Sequence, residues 1–324
     1  LFFLLGLLLF AFLVYRLGPA LLWDQFKKIG FQFVWILLLS GAWFLLYAAA
    51  WDIFLREVSK RVHFWIVFRL RVCGETISHL TPLSWGGGDP FRIYLIKEHI
   101  PLDEGTASVV VDRTLNNFAT ALILMGGIFL TLLLFPLDNS LRIGLGVFWI
   151  LLILGILFFY LRSKEGLFEF GLDLLKKVRI KKNFSEKTLE GVRKVDRHIA
   201  QFYQRSHGAF FLAFSLHLVG RLAGVFEIFL AAYFLDFPLS LLEAYLLTVM
   251  TIVLNMVFIF VPGNMGVLEG AYAAVFGLLG KDPVAGAAIQ IVRRLRMVFW
   301  VFIGFLFLST LPSSQKNHSV EGSV

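Results

Sequence analysis

Charged residues stand inside apolar segments at two places in the sequence, and both places also contain proline and glycine. The first stretch, Thr81–Arg113, reads TPLSWGGGDPFRIYLIKEHIPLDEGTASVVVDR. The second, Val261–Arg294, begins VPGNMGVLEG and ends IVRR. Arginine and aspartate are costly at membrane depth and usually have a function there. Because a guanidinium is a planar fork that matches phosphate, these arginines indicate binding of an anionic group.

The glycines and acids of the two stretches complete this candidate anion site. Gly86–Gly88 can present backbone N–H groups, and a helix that begins near Asp89 directs the positive end of its dipole toward them. For Asp89 and Glu269 the alternative role is plain helix capping. The candidate substrate-binding residues are Gly86, Gly87, Gly88, Asp89, Arg92, Asp112, Arg113, Gly263, Gly266, Glu269, Arg293, Arg294 and Arg296.

The arginines have structural alternatives as well. Arg92 lies one turn beyond Asp89 and can bind a ligand or pair with that acid. Asp112 and Arg113 are adjacent and therefore point in different directions. We expect Arg113 to face a cavity, while Asp112 orients it or pairs elsewhere; the alternative is a structural ion-pair network near the interface. For the arginines at 293, 294 and 296, the alternative is pairing with the acids at 269 and 227.

Two further polar groups lie on apolar segments. Glu75 and His79 are one turn apart, as a proton relay or a packed polar pair would require. His217 and Arg221 have i,i+4 spacing and share a helix face, which we expect to point into the bundle, with Glu227 further along the same segment.

The composition is that of an all-α polytopic membrane protein. Of the 324 residues, 58% are hydrophobic, and the mean hydropathy is +0.80, above the range of soluble domains. Segments long enough to cross a bilayer number about six. They are Leu1–Leu17, Phe31–Leu55, Thr106–Phe135, Leu141–Leu161, Ala209–Leu235 and Val284–Leu311.

Two more apolar regions, His63–His99 and Leu239–Gly280, are interrupted near their middles. The interruptions are Thr81–Gly88 and Pro262–Gly266. Proline lacks a donor and glycine is a poor helix former, so each region should be a helix, a break and a second helix. Irregular backbone at membrane depth must be buried in protein or line a wet cavity. We therefore predict two re-entrant helical hairpins.

The polar segment 162–208 sets the orientation. It carries Lys/Arg at 162, 164, 176, 177, 179, 181, 182, 187, 193, 194, 197 and 205 and Asp/Glu at 165, 169, 173, 186, 190 and 196. The positive-inside rule places it in the cytoplasm, together with the C-terminal tail. Its apolar spacing predicts two amphipathic helices at the membrane surface. An ordinary cytoplasmic loop explains the charge as well as attraction to anionic lipid does.

The two charged stretches repeat one another at an offset of 180 positions. Pro82 corresponds to Pro262, Gly86 to Gly266, Asp89 to Glu269 and Arg113 to Arg293. We predict one transmembrane domain over 1–324, with repeat 1 at 31–135 and repeat 2 at 209–311. The extra span Leu141–Leu161 places the repeats in opposite orientations, an arrangement found in many transporters.

The motifs LTPLSWGGGDPFR, VVVDR, FVPGNMGVLEG and IVRRLR resemble the lysylphosphatidylglycerol synthase transmembrane-region family, which includes the flippase domain of the multiple peptide resistance factor. The resemblance covers nearly the whole chain. Its signature positions here are Pro82, Gly87, Gly88, Asp89, Arg92, Asp112, Arg113, Pro262, Gly263, Gly266, Glu269 and Arg293. Asn264 stands where the family usually has a second glycine.

The resemblance implies a flippase or scramblase of the bacterial cytoplasmic membrane. The implied cargo is an aminoacyl-phospholipid, a hopanoid or a polyprenyl-phosphate glycolipid, with membrane lipids and a lipid synthase or glycosyltransferase as partners. We expect no nucleic acid partner, no enzymatic activity and no cofactor. The nucleotide-binding pattern GxxxxGK[ST] does not occur, and one cysteine, Cys73, cannot form an intramolecular disulfide.

Three other functions remain open from the residues. The GGGD at 86–89 matches the GxGD pattern of intramembrane aspartyl proteases, although that chemistry needs a second carboxylate sharing a proton. A membrane-embedded lipid-modifying transferase would need a head-group donor. An accessory subunit would present lipid to a synthase without transporting it.

Overall fold

The structure is a computed structural model that describes residues 15, 19–58, 62–81, 87–177, 185–237, 239–258 and 266–310. Every regular element within these ranges is a helix, which confirms the all-α class. A 3₁₀ turn at Gly30–Gln32 separates the first two α-helices. The α-helices are α1 Pro19–Ile29, α2 Phe33–Val58, α3 Phe64–Leu80, α4 Gly88–Ile96, α5 Leu102–Leu134, α6 Asn139–Glu165, α7 Leu167–Lys177, α8 Glu186–Arg205, α9 His207–Phe234, α10 Leu241–Val257, α11 Val267–Leu278 and α12 Pro283–Ser309.

Among the described residues, four helical segments are long and apolar enough to cross a membrane. They are Lys27–Glu57, Leu102–Leu134, Asn139–Glu165 and His207–Phe234. The predicted span Leu1–Leu17 lies almost wholly outside the described residues. The predicted span Val284–Leu311 corresponds to α12, whose 27 residues give a length of about 40 Å. Its three arginines lower its apolar character, and six full spans stay a prediction.

Both interrupted regions contain a helix on each side of the break. Helices α3 and α4 flank 82–86, and α10 and α11 flank 259–265; the breaks themselves lie outside the described residues. Glycine lets α3 and α4 approach closely. A Cβ on Gly88 would come within 2.3 Å of the Gly74 carbonyl oxygen and 2.0 Å of the Ser78 hydroxyl oxygen. The predicted helices on both sides of each break are therefore present, while the breaks themselves and the re-entrant path stay predictions.

The same order of helices occurs twice along the chain. A long helix, two shorter helices and a second long helix form the series α2–α5 and again the series α9–α12. The two series are packed together: α2 lies along α9, and α3 lies along α12. At the first contact, a Cβ on Gly220 would come within 2.4 Å of the Tyr47 ring. Their opposite insertion into the membrane stays a prediction.

The polar segment 162–208 contains the two expected amphipathic helices, α7 and α8. Asp196 of α8 accepts hydrogen bonds from the N–H groups of Phe168 (3.0 Å) and Glu169 (2.8 Å) at the start of α7. The apolar face of α8, which includes Ile199 and Phe202, is buried in a cluster with residues of α2, α5 and α9. Much of that face therefore contacts the bundle, which our prediction of helices lying on the membrane surface did not include.

Candidate functional site

A carboxylate on α5 is the centre of the first charge cluster. The Asp112 side chain is fully buried and its Oδ2 contacts the guanidiniums of Arg71 on α3 and Arg92 on α4, the latter at 2.8 Å. On its other side, Oδ1 lies 3.1 Å from His217 Nε2 of α9. Four helices of both series thus meet at one carboxylate, which offsets much of the cost of burying these charges.

A second carboxylate in this cluster lies in the first turn of α4. Asp89 accepts two hydrogen bonds from Arg113, one from Nε at 2.5 Å and one from Nη2 at 2.8 Å. Arg92 also contacts Asp89, at 3.3 Å, and so bridges the two carboxylates. Asp112 and Arg113 point in different directions. Asp112 pairs with residues other than Arg113, which is one of the two roles expected for it from the sequence. The side chain of Arg113 is 28% exposed, whereas that of Arg92 is 3% exposed.

Aromatic rings of α2 enclose the first cluster. The Arg92 guanidinium lies 3.9 Å from the centre of the Trp51 ring, and the Arg71 guanidinium lies 5.2 Å from the centre of the Tyr47 ring. The His217 ring stacks on Tyr47 at 5.3 Å. Cation–π contacts of this kind favour a guanidinium that has lost its water. The rings therefore hold the arginines in place without neutralising them.

The second series carries a corresponding cluster. Glu227 of α9 has a side chain only 1% exposed and lies 3.3 Å from Arg293 Nε and 2.5 Å from Arg296 Nε. Glu269, in the first turn of α11, accepts from Arg294 Nε at 2.8 Å. Each cluster thus has one deeply buried carboxylate held by two arginines and one carboxylate at the start of a half-helix held by another arginine.

The repeat at offset 180 holds for the pattern but not for every residue. The partner of Asp89 is Arg113, whereas the partner of Glu269 is Arg294, one position beyond the expected Arg293. Positions 71 and 92 correspond to Thr251 and Tyr272, whose hydroxyls hydrogen-bond to each other at 2.8 Å. Neutral hydroxyls therefore replace two arginines of the first cluster, and Tyr272 also accepts from Arg293 at 3.1 Å.

The structural alternatives predicted for the arginines are present. Arg92 pairs with Asp89, and each of the arginines at 293, 294 and 296 contacts an acid at 227 or 269. Glu269 also caps its own helix, because its carboxylate accepts the Gly266 N–H at 2.8 Å. These contacts assemble the arginines and acids of the site without showing a ligand.

The glycines of the predicted site fall into two groups. Gly86 and Gly263 lie outside the described residues. Gly87 is the N-cap of α4 and Gly88 its first residue. Gly266, the N-cap of α11, has φ of +80°, a backbone conformation that favours glycine.

Sequence reasoning omitted Arg71, Asn116 and Arg221 from the site, although arginines within apolar helices are themselves a signal.

Asp89 of the GxGD pattern and Asp112 do not form the catalytic dyad of an aspartyl protease. Asp89 and Asp112 are each held by arginines, and they share Arg92. An aspartyl protease needs two carboxylates that share a proton, whereas here a guanidinium lies between the two acids. Within the described ranges, no group of three or more His, Cys, Asp or Glu side chains could hold a metal ion.

An apolar groove runs between α5 and α6 beside the first cluster. Its volume is about 250 Å³, and its lining includes Thr114 and Asn117 of α5 and Gly155 of α6. The most apolar part of α6 is not buried by the rest of the described chain. In a bilayer this face of the protein therefore contacts lipid chains.

These features define a class: an α-helical, multi-pass membrane protein with paired carboxylate–guanidinium clusters inside its bundle. Residues 1–304 match the model of the family described as lysylphosphatidylglycerol synthase TM region, and the chain belongs to this family.

Two curated relatives are similar over most of their length. A UPF0104 membrane protein of Methanothermobacter thermautotrophicus is 22% identical over 326 residues, with 95% of this chain and 93% of the relative covered. A UPF0104 membrane protein of Methanocaldococcus jannaschii is 24% identical over 264 residues, covering 76% of this chain and 75% of the relative. No solved structure matches the chain.

Proposed function

We propose that the protein is a flippase or scramblase that moves a lipid with an anionic head group across the membrane. The observation that supports this most is the excess of guanidinium over carboxylate groups in and around the two clusters. The arginines are Arg71, Arg92, Arg113, Arg221, Arg293, Arg294 and Arg296, and the carboxylates are Glu75, Asp89, Asp112, Glu227 and Glu269. A surplus of positive charge at such depth is costly unless an anion enters.

The membership of the family supports the same proposal, because the family's name refers to a phospholipid product. The groove between α5 and α6 adds a path for the lipid's chains. Asn117, which lines the groove, lies one turn from Arg113 on the same helix. A head group at Arg113 would then leave its chains in or beside the groove, and only the head would cross the interior of the protein.

The breaks in the two interrupted regions fit this transport path. Half-helix N-termini and irregular backbone at the middle of a membrane are the usual means by which transporters bind anionic groups. Helices α4 and α11 begin at Gly88 and Val267, each with an acid in the first turn that is held by an arginine. Release of Arg113 from Asp89, or of Arg294 from Glu269, would free a guanidinium for the substrate.

Translocation in proteoliposomes tests the proposal. The purified protein would be reconstituted with a head-labelled fluorescent phosphatidylglycerol, and dithionite added outside would report how fast inner-leaflet lipid becomes accessible. We expect wild-type protein to raise the rate well above that of empty liposomes. Arg113→Ala and Arg293→Ala should reduce it at least tenfold, because each removes a guanidinium of the network.

The matched control is Arg142→Ala, since Arg142 is exposed at the start of α6, outside both clusters. This variant should keep the wild-type rate. Wild-type rates in both Arg113→Ala and Arg293→Ala, with correctly folded protein, would contradict the assigned role of the clusters. No rate above empty liposomes for any variant would contradict transport of this lipid class.

A further inference from the structure

Arg221 differs from the arginines of the two clusters in having a neutral partner. It lies at the middle of α9, and its Nε and Nη2 donate to the Asn116 amide oxygen of α5 at 3.1 and 2.6 Å. No carboxylate lies within 4.0 Å of it among the described residues, which include every acid of the chain except Glu321. Each arginine of the two clusters contacts at least one carboxylate.

A neutral acceptor does not balance the charge of Arg221, which is partly buried among apolar helices. The amide oxygen satisfies two of the five N–H donors of the guanidinium, but it carries no negative charge. Inside a bundle of apolar helices, a cation without a counter-charge loses most of its hydration energy and gains little in return. Glu75 is within electrostatic range of Arg221 but makes no contact with it. An anionic ligand would supply the direct charge contact that the described chain does not.

The surroundings of Arg221 are open enough to admit a ligand. Arg113, on the same helix as Asn116 and close to one turn away, is 28% exposed, and Glu75 and His79 on α3 are 36% and 35% exposed. Glu75 is within electrostatic range of both Arg113 and Arg221. Partly exposed side chains of α3 and α5 thus lie near two guanidiniums.

We propose that Arg221 binds the phosphate of the substrate's head group, and that Asn116 is a positioning residue that orients the guanidinium without neutralising it. This rests on the proposed lipid transport and adds to it the chemical class of the head, a phosphate ester. Arg113 is the second phosphate ligand once it leaves Asp89. Free inorganic phosphate has the same chemistry and is distinguished by the experiment.

Asn116→Asp is the decisive variant because aspartate has the shape of asparagine and adds one negative charge. A purely structural Arg221 would keep its contact, now as an ion pair, and the protein would stay folded. A phosphate-binding Arg221 would be neutralised internally. Arg221→Gln removes the charge directly, and Arg162→Gln, at the exposed end of α6, is the control.

Native mass spectrometry of protein extracted from nanodiscs of equal phosphatidylglycerol and phosphatidylcholine measures the outcome. We expect wild type and Arg162→Gln to retain phosphatidylglycerol in preference to phosphatidylcholine. In Asn116→Asp and Arg221→Gln this preference should be at least tenfold weaker. In a parallel thermal-unfolding series, stabilisation by inorganic phosphate that Asn116→Asp abolishes would show that the head alone is bound. Stabilisation by phosphatidylglycerol only would show that the lipid is required.

Unchanged preference for phosphatidylglycerol in a folded Asn116→Asp protein would overturn the assignment. The outcome of this binding experiment can be distinguished from the outcome of the translocation assay. Loss of preference in Asn116→Asp, together with no translocation by wild type, would refute the transporter while supporting the phosphate site. Translocation that survives in Asn116→Asp would refute the phosphate site alone.

Discussion

Asp112 accepts from two arginines of different helices while its own side chain has no exposed surface. A buried charge pair adds little net stability when both members are present, but removal of one member leaves the other charge unpaired. The single carboxylate of Asp112 balances Arg71 and Arg92 at once, since Arg92 only reaches its second partner, Asp89, at 3.3 Å. The stability of the first cluster therefore depends on this residue more than on any of its arginines.

We expect Asp112→Asn to lower the free energy of unfolding by about 3–5 kcal/mol, because Arg71 and Arg92 lose their shared counter-charge. Denaturation in mixed detergent micelles measures the change. Asp138→Asn is the control: Asp138 caps α6 through the Leu141 N–H, and asparagine caps equally well. Equal stability of the two variants would show that the buried cluster does not depend on the charge of Asp112.

At the scale of elements, the contact of α3 with α4 fixes the geometry of the first cluster. Gly74 and Gly88 face each other, and a Cβ on Gly74 would come within 2.4 Å of Arg92 Cγ. This contact places Arg92 beside Asp112 and Asp89 beside Arg113. The two half-helices thus act as one unit, although a break outside the described residues separates them in sequence.

Gly88→Ala should therefore separate α3 from α4. The added methyl overlaps the Gly74 carbonyl oxygen, and overpacking of this kind costs about 1–3 kcal/mol. Gly144→Ala on α6 is the control, since nothing lies within 4 Å of its Cβ position and alanine favours a helix. We expect the thermal unfolding temperature to fall in Gly88→Ala and to stay unchanged in Gly144→Ala. A neutral result in both would mean that α3 and α4 are not in close contact.

Helix α8 is a second element whose packing can be tested. Phe202 is buried against Phe54 of α2, with ring centres 4.9 Å apart. Phe202→Ala should release α8 from the bundle, because a buried phenylalanine contributes about 3–5 kcal/mol, and limited trypsin digestion at the lysines of 176–182 should become faster. Gln201→Ala, at an exposed neighbouring position, should be cleaved at the wild-type rate. Unchanged cleavage of Phe202→Ala would place α8 on the membrane instead.

At the scale of the molecule, two series of helices in the same order meet through α2, α3, α9 and α12, and their inversion is a prediction. An inverted arrangement places the short loop after α4 and the short loop after α11 on opposite sides of the membrane. It also lets a substrate meet a similar cluster from either side, which is how inverted repeats support alternating access.

Labelling of single cysteines tests the inversion. Cys73 is buried and should stay unreactive, so new cysteines at Glu98 and Asp282 report the two loops. We expect a membrane-impermeant maleimide to label Asp282→Cys in intact cells, and Glu98→Cys only after the membrane is opened. Labelling of both positions from one side would contradict the inverted arrangement, whatever the transport activity.

Much of the fold followed from local pattern, because long apolar segments form helices whatever they contact. Breaks at Thr81–Gly88 and Pro262–Gly266 were predicted from proline and glycine, and helices do flank both regions. The partners of the charges could not be predicted. Asp112 is paired with Arg71, which lies 41 positions earlier, and Glu227 with Arg293, 66 positions later. Pairings between residues so far apart in sequence depend on how the helices pack. The local spacing of apolar residues does not predict them.

The offset of 180 predicted which regions correspond, but it does not determine which arginine pairs with which acid. Glu269 pairs with Arg294 rather than with Arg293. Adjacent arginines point about 100° apart on a helix, and the rotation of α12 decides which of them faces α11. Arg221 was noticed in a polar stripe but not placed in the site, because its significance lies in the neutral partner that only the packed structure supplies.

Head-group selectivity in wild-type protein tests the central claim most directly. The claim is that surplus guanidinium groups inside the bundle carry an anionic lipid head between leaflets. Fluorescent phosphatidylglycerol and phosphatidylcholine would be compared in the same proteoliposome preparation by dithionite accessibility. We expect phosphatidylglycerol to cross at least tenfold faster than phosphatidylcholine. Equal rates for the two lipids, or rates no higher than in protein-free liposomes, would contradict the account.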